Sequence, residues 1–401
     1  MSNVSEAKDL YWDPIDKTID IDPYPLWRRM REEQPVYRND KFDFYALSRF
    51  EDVEAAHRDT GTYSSAHGTV LEIMSPEPLP VQMMIFSDPP GHKTLRALVS
   101  RAFTARRVAA LEEHIRSLCV EMLDPRIGTG GFDYVQDFAA QLPSQVISEL
   151  IGVDPADRED VRKIIDKTFH IEEGKGMVND VSFAAQIELH TYFTEQIDLR
   201  RREPRDDMMT GLVDAEVVTE DGGTRRLNTD EAATITNEIV AAGTETVVRL
   251  LGWACTLLES HPDQRAALVD DPSLIKNAVE ETLRYEAPSP VQGRVVTRDV
   301  ELHGTVIPER SKVLLLTASA NRDPAMYDDP DTYDIRRTFD GHVSFGHGVH
   351  FCLGAALARL EGRVALEETL KRFPTWQVDR DRAVRLHTST VRGYEKLPIT
   401  F

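Results

Sequence analysis

The sequence predicts a mainly α fold with small β-sheets. Three observations carry this. The longest apolar segment of helical period, about Asp230 to Ser260 with Thr229 as its cap, is hydrophobic enough to be buried on most sides. Residues Asp154 to Arg202 read as helix on both sides of a break at Gly174-Lys175-Gly176. Strand-like stretches are few and short: Val36-Tyr37, Phe44 to Leu47, Val295-Val296-Thr297 and Lys312 to Leu316. No Gly/Ser-rich linker, Pro tract, low-complexity block or internal repeat interrupts the 401 residues, so 1–401 is read as a single domain.

Composition narrows the setting. Hydrophobic residues make up 41%, ordinary for a globular chain. The three cysteines, Cys119, Cys255 and Cys352, are too few and too scattered for a disulfide framework, which points to a reducing compartment. Met1 to Arg31 mixes both signs of charge and reads as neither a signal peptide nor a membrane anchor. No apolar run reaches the ~18 residues a membrane span needs. A soluble, cytoplasmic protein is expected. The net charge of −21 argues against nucleic acid or an anionic membrane as a general partner.

Taken in order, Pro23-Tyr24-Pro25 leads into a short amphipathic helix, Leu26 to Glu33. Two strands around Asn39-Asp40-Lys41 follow, then a helix from Phe50 to His57. From Ser65 to Phe86, apolar residues including Val70, Leu71, Met74, Met83 and Met84 alternate with Pro76, Pro78 and Pro80. Proline blocks regular helix, so this reads as a long apolar loop that caps a core or lines a pocket. A helix begins near His92, and His92 and Arg96 share one of its faces, either as a solvated basic surface or as an anion site. Val108 to Glu149 holds two helical periods broken near Gly128 to Gly131, and Asp214 to Leu227 reads as a polar hairpin.

In the central helix, Gly243 costs about 1 kcal/mol relative to alanine. It serves either close helix packing or a local opening of the hydrogen-bond ladder. The acid and alcohol Glu245-Thr246 follow it. Glu238 falls on the face of Ala242 and Thr246, where it contacts a polar end of a ligand or a water chain, or else turns to solvent. Glu281 and Arg284 stand three apart on one helical face. Ala320 to Pro324 reads as a turn.

The stretch Phe345 to Gly354 is the most informative. Helix formers Ala355 to Glu361 follow it, which places Cys352 at a helix N-terminus, where a thiolate is favoured. The spacing Phe-Gly-x-Gly-x-His-x-Cys-x-Gly resembles the haem-binding loop of the cytochrome P-450 family. Asp88 to Arg96, Ala242 to Thr246, and Glu281 to Arg284 with Arg337 resemble that family's other motifs, in its order.

The resemblance implies a triangular helical prism around a buried haem b (iron protoporphyrin IX). Cys352 would be its axial thiolate and metal ligand. Phe345 and Gly346 would frame the cofactor; His92, Arg96, Arg294 and His350 would take its propionates. Ala242 and Gly243 would line an oxygen groove, with Thr246 and Glu245 as catalytic proton carriers. The substrate pocket would draw on Val70, Leu71, Met83, Met84, Glu238, Ala242, Pro290, Val291 and Val391. Glu281, Arg284 and Arg337 would form a structural clamp.

The implied activity is a monooxygenase that activates dioxygen and hydroxylates a hydrophobic small molecule: a terpenoid, steroid, fatty acid or aromatic compound. Electrons would come from a ferredoxin and its NAD(P)H-dependent reductase, docked on Lys93, Arg101, Arg106, Arg107, Arg336 and Arg337 of a monomer. A peroxide-driven peroxygenase, a haem-thiolate isomerase and a non-catalytic haem sensor are the alternatives.

Overall fold

The computed structural model describes residues 10–172, 176–218, 223–338 and 340–401. Helix α1 (Tyr24–Glu33) starts two residues before its predicted position, with Pro25 in the first turn, where its missing N–H is no loss. Strands β1 (Val36–Asn39) and β2 (Phe44–Leu47) pair antiparallel, and α2 (Phe50–Arg58) follows. After β3 (Tyr63–Ser64), residues 65–87 form a long loop with two short 3₁₀ turns, as the prolines require. Then come α3 (Gly91–Ser100), α4 (Glu112–Leu123), α5 (Gln141–Ile151), α6 (Arg158–Thr168) and α7 (Asp180–Arg202). Gly174 and Lys175 of the expected break lie outside the described residues. The expected hairpin pairs Glu216–Val218 with Thr224–Arg226, and its tip too lies outside them.

The central helix α8 runs unbroken from Thr229 to Ser260. Its cap is Asn228, one residue earlier than expected. The Asn228 side chain accepts from Glu231 N–H at 2.8 Å, while the Glu231 carboxylate accepts from Asn228 N–H at 2.8 Å. This reciprocal pair satisfies two orphan donors, which Thr229 alone would not. Thr229 instead donates its hydroxyl to Asp198. At Gly243 an added Cβ would lie 2.7 Å from Ile147 Cγ1, so this glycine lets α5 pack tightly on α8. Of the two readings of Gly243, close packing is the one seen.

Beyond α8 lie α9 (Ile275–Tyr285), β4 (Gln292–Val296), β5 (Lys312–Leu315), α10 (Ala355–Arg372) and a hairpin of β6 (Val384–His387) and β7 (Arg392–Lys396). The main sheet has the order β1-β2-β5-β4-β3. Arg294 on β4 stands opposite Val313 on β5, well inside this sheet. One apolar cluster joins α4, α8, α9 and α10; a second joins α5, α6, α7 and α8; a third packs Trp12, Tyr24 and Trp27 against the sheet.

Candidate active site

The loop ahead of α10 is shaped by backbone contacts. Cys352 N–H donates to Phe345 O at 2.8 Å and Gly346 N–H to Val343 O at 2.8 Å, closing the loop on itself. Gly348, at φ +68°, has no room for a side chain: a Cβ there would stand 2.9 Å from the His57 carbonyl oxygen at the end of α2. Gly354 caps α10, and Cys352 carries a free thiol. The helix terminus does not by itself yield a thiolate. Burial raises the Cys352 thiol, and the Gly354 N–H, Arg96 and Arg359 pull it back only in part. Arg359 also stands 4.5 Å over the Phe345 ring and donates to Glu280 at 2.7 and 2.9 Å.

Four predicted cofactor-binding side chains gather beside this loop. The rings of His92 and His350 lie 4.3 Å apart. Both ring nitrogens of His92, and Nε2 of His350, are buried without a partner. Burial and the charges of Arg294, His92 and Arg96 push His350 down to about 3, so its ring is neutral. Arg294 is buried, donates only to its neighbour's carbonyl, Gly293 O, at 2.7 Å, and is lowered to about 10 by burial. Arg96 donates to Phe351 O at 2.7 Å. None of the four is hydrogen-bonded to a carboxylate among the described residues. Buried donors of this kind need acceptors, and the two propionates of a haem supply them. Cys352 would supply the thiolate that holds the iron, so the residues fit the group.

The central helix carries the second half of the site. Ala242 is exposed and Gly243 and Thr246 half-buried, on a helix otherwise mostly wrapped by protein. The Thr246 hydroxyl donates to Ala242 O at 3.3 Å. Glu245 is buried and ion-paired with Arg249, which also donates to the Tyr394 carbonyl. Gly393 is required here, since a Cβ would stand 2.7 Å from Arg249 Cδ. Glu245 and Arg249 border a cavity of about 710 Å³ that also reaches Asp166, Arg385 and His387. Asp166 is raised to about 6 by burial, opposed by Arg162.

Glu238 departs from both sequence readings. It neither turns to solvent nor stands free for a ligand: it accepts from Met84 N–H at 2.8 Å and Ile85 N–H at 2.7 Å. One buried carboxylate thus caps the 3₁₀ turn Met84–Phe86 of the long loop. The same loop is pinned elsewhere. Gly293 N–H on β4 donates to Thr69 O at 2.7 Å, and the Ser389 hydroxyl at the β6–β7 tip donates to Glu72 at 2.6 Å. This brings half-buried Val70, Met83 and Met84 into one region with the hairpin that carries Val391. Leu71, Pro290 and Val291 lie deeper, and Pro290 and Val291 border a small cavity beside Trp12 and Trp27. All three are buried, Leu71 and Val291 in the Trp12–Tyr24 cluster, and Pro290 O accepts from Ala318 N–H.

The clamp forms as expected. Glu281 and Arg284 are fully buried and paired through two bonds of 2.7 Å. Arg337 donates to Glu281 at 3.2 Å and Asp334 N–H at 2.9 Å. The sequence reading missed the link to the cysteine loop, Asn321. Its carbonyl accepts from Arg284 and its side chain holds Val343 N–H at 2.9 Å and Ser344 Oγ at 2.7 Å. Arg249 was missed as well; its position four after Glu245 was the available signal. The cations Lys93, Arg101, Arg106, Arg107 and Arg336 are exposed and make no ion pair among the described residues. Arg337 leaves that set, its charge being spent in the clamp.

The family model described as Cytochrome P450 matches residues 41–394. A Mycobacterium tuberculosis protein carrying the name cytochrome P450 123 is 43% identical over 395 residues, covering 98% of this chain and 97% of that one. The vitamin D(3) 25-hydroxylase of Pseudonocardia autotrophica is 37% identical over 385 residues, covering 94% and 93%. Among solved structures, a mutant of P450 EryK in complex with erythromycin B superposes with a TM-score of 0.87 at 35% identity, covering 96% of this chain and 97% of that one.

Proposed function

The chain belongs to the cytochrome P450 family and is a haem-thiolate monooxygenase with Cys352 as axial ligand, and from that premise we propose that it hydroxylates a large, mostly apolar small molecule. Bound haem supplies the chemistry of dioxygen activation and oxygen insertion. The chain's residues set its course. His92, Arg96, Arg294 and His350 hold the propionates. Ala242 leaves space on the central helix, and Val70, Met83, Met84 and Val391 enclose an apolar substrate. The Thr246 hydroxyl and, next to it in the chain, the Glu245 carboxylate are the groups that would carry protons into the site.

The observation that carries this reading is the gathering of buried His92, His350 and Arg294 beside the Cys352 loop with no carboxylate bonded to them among the described residues, a setting that fits a haem. A Glu245→Gln variant should lose about 10²-fold in turnover, the scale of a lost general acid, while substrate-induced spectral shifts persist. Unchanged turnover and coupling would refute the assignment. A relative named vitamin D(3) 25-hydroxylase and a similar structure in complex with erythromycin B favour a terpenoid, steroid or similarly bulky substrate. A spectral titration of the ferric protein against such compounds tests this; binding confined to small polar molecules would reject it.

Electrons come from a ferredoxin and its NAD(P)H-dependent reductase. The unpaired cations Lys93, Arg101, Arg106, Arg107 and Arg336 offer an acidic partner a docking face on a chain of net charge −21. The helix Ala105–Ala109 that carries two of them packs against α10, which begins just after Cys352. No helix among the described residues is long and apolar enough to cross a membrane, and we place the enzyme in the cytoplasm as a monomer.

A further inference from the structure

His57 lies near the end of α2, outside every motif above, yet it is built into the cysteine loop. It is 2% exposed, and neither ring nitrogen has a hydrogen-bond partner among the described residues. Its ring faces Gly346: a Cβ on that glycine would stand 3.7 Å from His57 Cε1 and 3.8 Å from Nδ1. Its own carbonyl presses on Gly348. A neutral imidazole carries one N–H and one lone pair, and a buried ring that places neither is a costly arrangement unless something else meets it.

The neighbouring groups show what is missing. Arg294, His347 and His350 are the charged or chargeable side chains that bear on His57. His347 is engaged with Glu54 at 3.6 Å and Arg58 at 3.5 Å. Asp88, the acid that bears on Arg294, spends its oxygens on Ser64 Oγ at 2.5 Å and Ser65 N–H at 2.9 Å. The site therefore holds Arg294 and the neutral rings of His57 and His350, and no carboxylate is hydrogen-bonded to any of them among the described residues.

We propose that His57 is a further haem-binding residue, its imidazole N–H donating to the propionate that Arg294 and His350 also hold. This rests on the haem-thiolate reading. Burial and the nearby Arg294 hold His57 in its neutral form, so it acts as a hydrogen-bond donor without adding charge. Gly346 then has a double duty: its φ of +66° turns the loop, and its missing side chain leaves the imidazole its place.

The test uses the haem-loaded enzyme and two variants, His57→Leu, which removes the donor, and His57→Gln, which keeps an N–H. Haem transfer to excess apomyoglobin is timed, and the ferric–ferrous midpoint potential is measured. The Leu variant should release haem on the order of tenfold faster, the scale of one hydrogen bond to a charged group, with a shifted potential. The Gln variant should stay within about twofold of wild type. Wild-type release by the Leu variant overturns the proposal, as does a Gln variant as fast as Leu, which would mean that ring packing alone matters. Should the Leu variant not fold, the Gln variant decides: retention near wild type supports the donor role and tenfold loss rejects it. The thiolate-type spectrum of the wild-type reduced CO complex is recorded first. Its absence would fail the family reading, whereas its presence with unchanged haem release fails only His57.

Discussion

Replacing Glu238 by glutamine tests how the pocket cover is held. The native carboxylate accepts both Met84 and Ile85 N–H groups, at 2.8 and 2.7 Å. A glutamine keeps one carbonyl oxygen and turns an NH₂ toward the second N–H, so one bond to a charge becomes neutral and the other becomes an orphan. Net loss of one bond to a charged acceptor is worth about 1.5–3 kcal/mol. Part of this is returned, because burial raises the Glu238 carboxyl despite its two backbone donors, so its charge is already penalised. A net of about 1–2 kcal/mol remains, a factor of roughly 5–30 in the balance between tethered and released loop. Hydrogen exchange should accelerate by that factor at the Met84 and Ile85 amides, and stopped-flow association of a hydrophobic ligand should speed up with it. If both rates stay at wild-type values, Glu238 does not hold the cover and the reasoning fails.

Three further outcomes follow from the geometry. Glu280 is pushed up by burial but held at about 2 by His342 and Arg359. An acid whose folded pKa is depressed stabilises above its unfolded value, so this contribution is present above about pH 4.5 and lost as pH falls toward 2. At full strength it is about 3 kcal/mol, and the acid limb of a denaturation series should flatten in Glu280→Gln. Gly243→Ala should destabilise by up to about 2 kcal/mol in urea denaturation, since overpacking against Ile147 costs about 1–3 kcal/mol against the ~1 kcal/mol gained in helix propensity. A stabilised variant would show that Ile147 moves aside freely. Charge reversal at Arg106 and Arg107 should cut the ferredoxin reduction rate at low salt and flatten its dependence on ionic strength; an unchanged salt profile would remove these residues from the docking face.

The legible part of the site is the part written at fixed spacing. Cys352 with its glycines, His92 with Arg96, and Glu281 with Arg284 are each set by local geometry, a loop or a helical turn, and so show in the residue order. Asn321 and His57 were invisible for the opposite reason. Each acts on a segment reached only through the tertiary fold, Val343 and Ser344 in one case and Gly346 in the other. Glu238 was ambiguous because helical period gives the face of a residue but not which loop descends on it. Leu71 and Val291 could be read from the sequence only as apolar, because an apolar side chain reads alike in a pocket and in a core. The cap of α8 shifted by one residue since Asn228 and Thr229 are both good caps and only Glu231, three beyond Asn228, breaks the tie.

Asn321 has a consequence for how the enzyme is assembled. Arg284 reaches its carbonyl from α9, and its side chain grips Val343 and Ser344 just ahead of the cysteine loop. Glu281, at the root of this chain of contacts, also waits for Arg337 and Asp334. The contacts that brace the loop ahead of the sulfur join segments some sixty residues apart, and closing such distant segments is slow compared with forming any helix. A nascent chain can be rich in helix and still be unable to seat iron. Pigmentation of the purified protein is thus a readout of completed folding: a lesion at Asn321 should yield a helical but colourless product.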